Sequence, residues 1–412
     1  MVRPLDAYRV YLFIQAGITF SWRMMFTVFL FYFVQEVGLN PFQLVLTGTA
    51  LELAIVLFEV PTGVVADVYS RRLSIIIGLA IAGMGILMTA IPIFGVVLLA
   101  QMILGLGYTF TSGATNAWLT DEIGEEAANR AFLRGSQVSQ ATLILTIIVS
   151  VLLALIDLRL PIVIAGLGSI LLGLVLAIIM PENGFTPTPS TQRDTWGSMR
   201  GTLSDGVRMI QARPILINIL ILSFMIGTFS EGYDRLWTAH LVRNIGLPKL
   251  GGLDEVVWIG IIGIVGTLLS ITGTEIISRR VDTQNQGAII RTLQATYLIL
   301  ILGMLTFAHT PLFPLALLML WLIGVGEPLY AAWVNQGLDP STRATVFSIA
   351  AQANGFGELT GGPVIGGLAN LTSLRVALTG SALLLLPTLG LIRSTLYRHE
   401  SGYYDLMRPA ND

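Results

Sequence analysis

Eight ionisable residues stand inside stretches that are otherwise apolar, and they set the chemistry to look for: Arg23, Glu52, Glu59, Glu231, Asp234, Arg235, Glu327 and Glu358. A charge in hydrocarbon is costly unless it faces a partner or a water-filled cavity, so each is a candidate for holding substrate, an ion or a proton. Counted along their segments, Arg23, Glu52, Glu327 and Glu358 fall near mid-depth. Glu327 and Glu358 have no embedded cation at their own depth. A carboxylate that holds either a proton or a cationic substrate exchanges one for the other across a membrane, and Glu358 is the first candidate for that role. Arg23 is suited to an anionic group, or to pairing with Glu52 at similar depth on the next segment. Glu231 is one helical turn from Arg235, a spacing at which the two neutralise each other. Asp234 lies beside them, and Glu59 reads as a structural acid toward one end.

Aromatic and polar residues accompany these positions. Tyr108, Phe356 and Asn354, with Trp22, Tyr233 and Tyr330, predict a cavity suited to flat or amphiphilic molecules. Trp118, Trp237 and Trp333 lie near segment ends, where a membrane-interface belt is the expected role. Gln15, Asn116, Gln137, Gln140, Gln352 and Asn354 add amides that hydrogen-bond a substrate or join helices.

The elements that must carry these side chains are membrane spans. Of 412 residues, 54% are hydrophobic and 12% charged, and mean hydropathy is +0.77. Apolar runs near the roughly 20 residues a spanning helix needs recur along the whole chain, which excludes a sizeable soluble domain. Twelve spans are predicted, near 8–35, 42–66, 73–92, 96–120, 131–155, 160–180, 214–240, 256–278, 286–308, 312–336, 344–369 and 374–396. The amino-terminal run lacks a small-residue cleavage site and reads as the first span. The polar stretch 181–213 is the expected cytoplasmic linker between an amino-terminal six-helix bundle, 1–180, and a carboxy-terminal one with its tail, 214–412. Most arginines fall on the side of the termini, whereas Arg159, Arg243, Lys249 and Arg375 fall on the other. The positive-inside bias therefore places both termini in the cytoplasm of a multi-pass inner-membrane protein.

Several classes are excluded. The net charge of −2 carries no signal for nucleic acid, and the absence of cysteine removes disulfides and thiolate sites. Lys249 has no phosphate-binding loop around it, and His240, His309 and His399 show no metal-binding spacing. The expectation is a protein that is no enzyme, uses no cofactor and works as a monomer in the lipid bilayer.

The octapeptide ADVYSRRL at 66–73 has a near copy, TEIISRRV, at 274–281. Asp67 and Glu275 both end the second span of their half and are followed at equal spacing by Ser-Arg-Arg. TFS at 19–21 and 228–230, Gly38-Leu39 and Gly246-Leu247, and AWLT at 117–120 against AWVN at 332–335 extend the echo. The chain is a duplicated six-span unit with parallel halves. It resembles the major facilitator superfamily, whose loop signature G-x-x-x-D-[RK]-x-G-[RK]-[RK] is similar to PTGVVADVYSRR. Gly63, Asp67, Arg71 and Arg72 match, while Val68 and Ser70 replace the usual basic residue and glycine.

The resemblance implies an all-α fold of twelve transmembrane helices in two pseudo-symmetric bundles, and a conformational latch of Gly63, Asp67, Arg71, Arg72 and Asp121. In it Asp67 sits by the helix that starts near Arg343, and Arg71 pairs with Asp121. Around Glu358 the sequence reads NGFGELTGGPVIGG, whose GP-x-x-GG core is similar to the glycine-rich motif of drug:proton antiporters, although it stands in span 11 where those have it in span 5. Their span-4 arginine is replaced here by Gln101. The expected function is secondary active transport by alternating access, as proton-coupled export of amphiphilic or cationic molecules. The alternative is uptake or facilitated exchange of a small, possibly anionic, metabolite held by Arg23. The residues expected to bind substrate or protons are Glu358, Glu327, Arg23, Glu52, Glu231, Asp234, Tyr108, Phe356 and Asn354.

Overall fold

A computed structural model describes residues 6–187, 214–248, 251–282, 285–336 and 340–400. Linker positions 188–213, Lys249 and the tail from 401 lie outside the described residues, as does the side chain of Arg343. The described residues form helices α1 (Ala7–Phe26), α2 (Phe29–Gln35), α3 (Pro41–Val68), α4 (Arg71–Thr89), α5 (Phe94–Thr111), α6 (Ala114–Ile123), α7 (Glu125–Ala154) and α8 (Leu160–Ile179). They continue with α9 (Pro214–His240), α10 (Glu255–Arg280), α11 (Gln286–His309), α12 (Phe313–Gln336), α13 (Pro340–Leu371), α14 (Leu374–Leu384) and α15 (Leu386–Glu400). A single π turn, Leu241–Ile245, follows α9.

Eleven segments among the described residues are long and apolar enough to cross a membrane, including α1 with α2, α5 with α6, and α14 with α15 read as continuous spans. The twelfth is α13, whose 32 residues exceed what a bilayer needs but include the polar, glycine-rich run PSTRATVFSIAAQANGFGE. The all-α, twelve-span expectation is met. Three spans are broken where the apolar pattern runs through: after Phe26, at Ser112-Gly113 with Gly113 at φ +68°, and at Leu385.

Local chemistry explains the helix starts. Asn40 and Gln43 form a reciprocal capping box around Pro41 at the first turn of α3, satisfying backbone N–H groups that have no intrahelical acceptor. Ser70, Asn285 and Ser373 cap α4, α11 and α14 in the simpler one-bond form. The paired Gly-Leu echoes have a backbone cause: Gly38 and Gly246 sit at φ +71° and +79°, a left-handed geometry that a side chain strains, and each delivers a buried leucine, Leu39 or Leu247.

The chain divides into two compact units. Unit 1 takes in the described residues to 187 and the start of α10 through Ile261, and unit 2 takes in 214–248 and 262–400. In unit 1, α4 packs on α5 and α8 through glycines: a Cβ at Gly107 would lie 2.4 Å from the Ala82 backbone, and one at Gly83 2.8 Å from the Gly166 carbonyl. In unit 2, α9 and α13 meet as closely, since a Cβ at Gly227 would lie 2.0 Å from the Asn354 carbonyl and one at Gly357 2.1 Å from that of Phe224. Small residues let helix backbones approach where lipid offers no hydrophobic drive for association.

The tryptophans of the AWLT and AWVN repeats correct the belt expectation. Trp118 and Trp333 are both buried, Trp118 within a cluster that includes Ile14, Ile75 and Leu176. An interface residue keeps one edge in water, and these two do not. Trp237 is half-buried.

Candidate functional site

Unit 1 carries an open cleft of about 510 Å³ between α1 and α7, lined by Thr19, Trp22, Arg23, Phe26, Ser136, Ser139 and Gln140. Arg23 lies one turn before the break in α1, where its carbonyl accepts both the backbone N–H (3.0 Å) and the hydroxyl (2.6 Å) of Thr27. Among the described residues no carboxylate forms an ion pair with the Arg23 guanidinium, so the expected pairing with Glu52 is not made. Glu52 is half-buried on α3. Trp22 stacks on Phe26, with ring centroids 5.4 Å apart, and meets Tyr108 of α5 edge-on at 5.6 Å. Ser139 donates to the Gln15 side chain at 3.4 Å. The surface offers one fixed cation, an aromatic wall and several neutral hydrogen-bonding groups. That set can orient a small molecule with an anionic group and a flat or hydroxylated body.

Unit 2 presents the acids. On α12, Glu327 is exposed, one turn before Tyr330, whose hydroxyl is 2.5 Å from that of Ser223 on α9. On α13, Glu358 accepts from Asn354 Nδ2 at 2.6 Å, and Phe356 is 49% exposed. Asp234 is exposed on α9. Glu231 is different: it is buried and paired with Arg235 at 3.2 Å. Its expected role in substrate or proton binding has no accessible surface to act on, because the i,i+4 spacing turns both side chains into the helix packing.

Two glycines of the run around Glu358 are explained by packing. Gly357 and Gly361 face Phe224 and Thr228 of α9, and Thr228 Oγ1 donates to the Gly357 carbonyl at 3.2 Å. Pro363 lies inside α13.

The signature loop of unit 1 is built from three segments. Arg71 reaches Asp121 at the end of α6 at 2.6 Å and Asp67 at 3.6 Å, and its guanidinium lies 6.0 Å from the Phe185 ring centroid. Asp67 is 60% exposed at its side chain. Gly63 has open space where a Cβ would go. Sequence reasoning misses the third segment, residues 181–187, which it assigns to the linker. Glu182 accepts from the Ser70 hydroxyl at 2.7 Å and from the Arg72 N–H at 2.9 Å, which caps α4 from outside. Arg72 donates to the Ala177 carbonyl at 2.5 Å, Trp118 Nε1 to the Pro181 carbonyl at 2.8 Å, and the Asn183 and Gly184 N–H groups to Glu122 at 2.5 and 2.7 Å. Ser70, which departs from the family's glycine, is thus a helix cap and a donor to Glu182. The signal in the sequence is PEN directly after an apolar span.

The second copy of the signature is simpler. Glu275 and Arg279 form an exposed pair at 2.5 Å. The position matching Asp121 after the AWVN repeat is Gln336, so unit 2 has no carboxylate there.

The model of the Major Facilitator Superfamily matches residues 11–362. The Uncharacterized MFS-type transporter YxaM of Bacillus subtilis (strain 168) is 22% identical over 329 residues, covering 79% of this chain and 80% of that protein. Among solved structures, the nucleoside transporter NupG is similar with a TM-score of 0.72 at 18% identity, covering 97% of this chain and 99% of that one. A POT family transporter in complex with 5-aminolevulinic acid is similar with a TM-score of 0.68 at 14% identity, covering 96% of each chain. At these identities the structural likeness speaks for the fold.

Proposed function

Because the chain belongs to the Major Facilitator Superfamily and transports a small molecule by alternating access, we propose that it takes up or exchanges a small polar metabolite with an anionic group, bound through Arg23. One observation carries this: the Arg23 guanidinium faces a cleft of about 510 Å³ with no carboxylate paired to it among the described residues. A guanidinium grips a carboxylate or phosphate with two parallel N–H bonds. Trp22, Phe26 and Tyr108 flank the flat part of the ligand, and Ser136, Ser139 and Gln140 hydrogen-bond its neutral groups. The ligands for which the similar transporters are named, a nucleoside and 5-aminolevulinic acid, are small polar metabolites, and the second carries a carboxylate.

Protons are the proposed coupling ion, carried by Glu358 or Glu327 in unit 2. The protein works as a monomer in the inner membrane with both termini cytoplasmic. Export of amphiphilic cations has weaker support. Two glycines of the run that suggests it, Gly357 and Gly361, pack α13 on α9, and the span-4 position of the antiporter arginine is Gln101, buried and 3.4 Å from Thr89.

The test is ligand-induced thermal stabilisation of the purified protein at pH 6 and pH 8 with organic anions, nucleosides, sugars and lipophilic cations. An anionic metabolite is expected to stabilise the protein, to lose that effect in Arg23→Gln and to keep part of it in Arg23→Lys. Stabilisation by lipophilic cations alone, or an unchanged anion response in Arg23→Gln, refutes the proposal.

A further inference from the structure

A second cleft, of about 690 Å³, opens at the end of unit 1 that carries the signature loop. Ile123, Ala131 and Leu133 wall it, and Tyr8, Arg130 and Arg134 rim it. It is separate from the Arg23 cleft, and the geometry of α7 shows why. At about 100° per residue, Ser136, Ser139, Gln140 and Leu143 take the side of α7 that faces Arg23. Arg130 and Arg134 take another, within about 60° of Leu145, Ile148 and Leu152 further along the same helix. Those three apolar side chains are 62%, 45% and 58% exposed, and α7 is the least covered of the eleven candidate spans. In a membrane protein an exposed apolar stripe of this kind lies against acyl chains, and here it leads into two guanidinium groups within the first three turns of α7.

We propose that Arg130 and Arg134 seat the phosphate of an anionic phospholipid whose acyl chains lie along Leu145, Ile148 and Leu152. Basic pockets between helices at a membrane surface recognise such head groups. Both arginines retain donors for it. Arg130 pairs with Glu126 at 3.0 Å, but that pair is 73% and 89% exposed and holds the guanidinium only weakly. Arg134 gives one N–H to Gln137 at 2.9 Å and keeps the rest of its fork. Tyr8 and Gln137 add neutral groups at the rim. A soluble anion would use the guanidinium groups and leave the stripe unexplained; a phospholipid uses both. The inference does not depend on what the Arg23 cleft binds.

The experiment uses the full chain in a neutral detergent, titrated with phosphatidylglycerol, phosphatidylcholine or inorganic phosphate. The readouts are apparent melting temperature and retained lipid by native mass spectrometry. Phosphatidylglycerol is expected to stabilise the wild type and to remain bound, with the other two giving little response. Apparent affinity for phosphatidylglycerol should fall roughly fivefold in Arg134→Gln and roughly 30-fold in the double Arg130→Gln, Arg134→Gln variant, while the double lysine variant keeps most of it. If the double variant does not fold, the single variant and the loss of the effect with added salt in the wild type carry the test. Equal responses to phosphatidylglycerol and phosphatidylcholine, an unchanged response in Arg134→Gln, or an equal response to inorganic phosphate each overturn the proposal.

Discussion

Adding one methyl group to α13 should have opposite effects at two positions ten residues apart. A Cβ at Gly357 would lie 2.1 Å from the Phe224 carbonyl oxygen, whereas ordinary carbon–oxygen contacts are about 3.3–3.6 Å. The obstacle is backbone, so relief requires α9 and α13 to separate by roughly 1 Å. That shift would also loosen the contacts of Gly227 and Gly361 in the same interface. Overpacking of this kind costs about 1–3 kcal/mol. At Gly367 nothing lies within 4 Å of the added carbon, and the substitution only removes the conformational freedom of glycine in a helix. There Gly→Ala gains about 0.5–1 kcal/mol. Gly357→Ala and Gly367→Ala should therefore differ by roughly 1.5–4 kcal/mol, although each adds the same atom to the same helix. The assay is thermal and denaturant unfolding of the purified variants in one detergent, with Gly227→Ala as a second member of the destabilised class. If Gly357→Ala is as stable as the parent, or Gly367→Ala is destabilised as much, the close packing of α9 on α13 is wrong.

Other substitutions test other parts of the structure. Glu182→Ala removes the acceptor for Ser70 and Arg72 and should destabilise the protein by about 1–2 kcal/mol, with faster amide exchange in the first turn of α4 seen by mass spectrometry. A double-mutant cycle between Arg71→Gln and Asp121→Asn should give a coupling of about 1 kcal/mol that shrinks with salt, because the pair is only partly buried; zero coupling would show the contact contributes nothing. Glu231→Leu removes a carboxylate 3.2 Å from the buried Arg235 and should cost about 3 kcal/mol in unfolding measurements. Adding Arg235→Leu should recover most of that loss, and failure to recover would assign Arg235 a partner more important than Glu231.

Hydropathy is enough to separate eleven spans, length supplies the twelfth, and the internal repeat is enough to predict two matched halves, because the spans follow from the solvent rather than from detailed packing. Some echoes encode geometry directly: the Gly-Leu pairs are left-handed turns that bury a leucine. The breaks after Phe26 and at Ser112-Gly113 are invisible to hydropathy, since the apolar pattern continues through them. The burial of Trp118 and Trp333 is missed for a related reason. A tryptophan near a span end is ordinarily an interface residue, and only tertiary packing reveals that these two turn inward.

At the candidate site, the sequence singles out Arg23 and Tyr108 but not Thr19, Ser136 or Ser139, whose hydroxyls are common in spans and acquire meaning only when α1 and α7 lie side by side. The spacing of Glu231 and Arg235 suggests their pairing, but only the packing shows that both side chains are buried. Glu182 looks like the first residue of a linker until its carboxylate is seen to hold Ser70 and Arg72.

That last feature determines where this chain can be divided. Pro181 through Gly184 are stitched to α4 and α6 by five hydrogen bonds, from Ser70, Arg72 and Trp118 and from the Asn183 and Gly184 N–H groups. A gene split at the end of α8 would leave the first fragment without its clasp and give the second a stray acidic end. A split placed beyond Phe185 keeps the first half whole. Complementation of separately expressed halves should depend on those few residues staying with the first half.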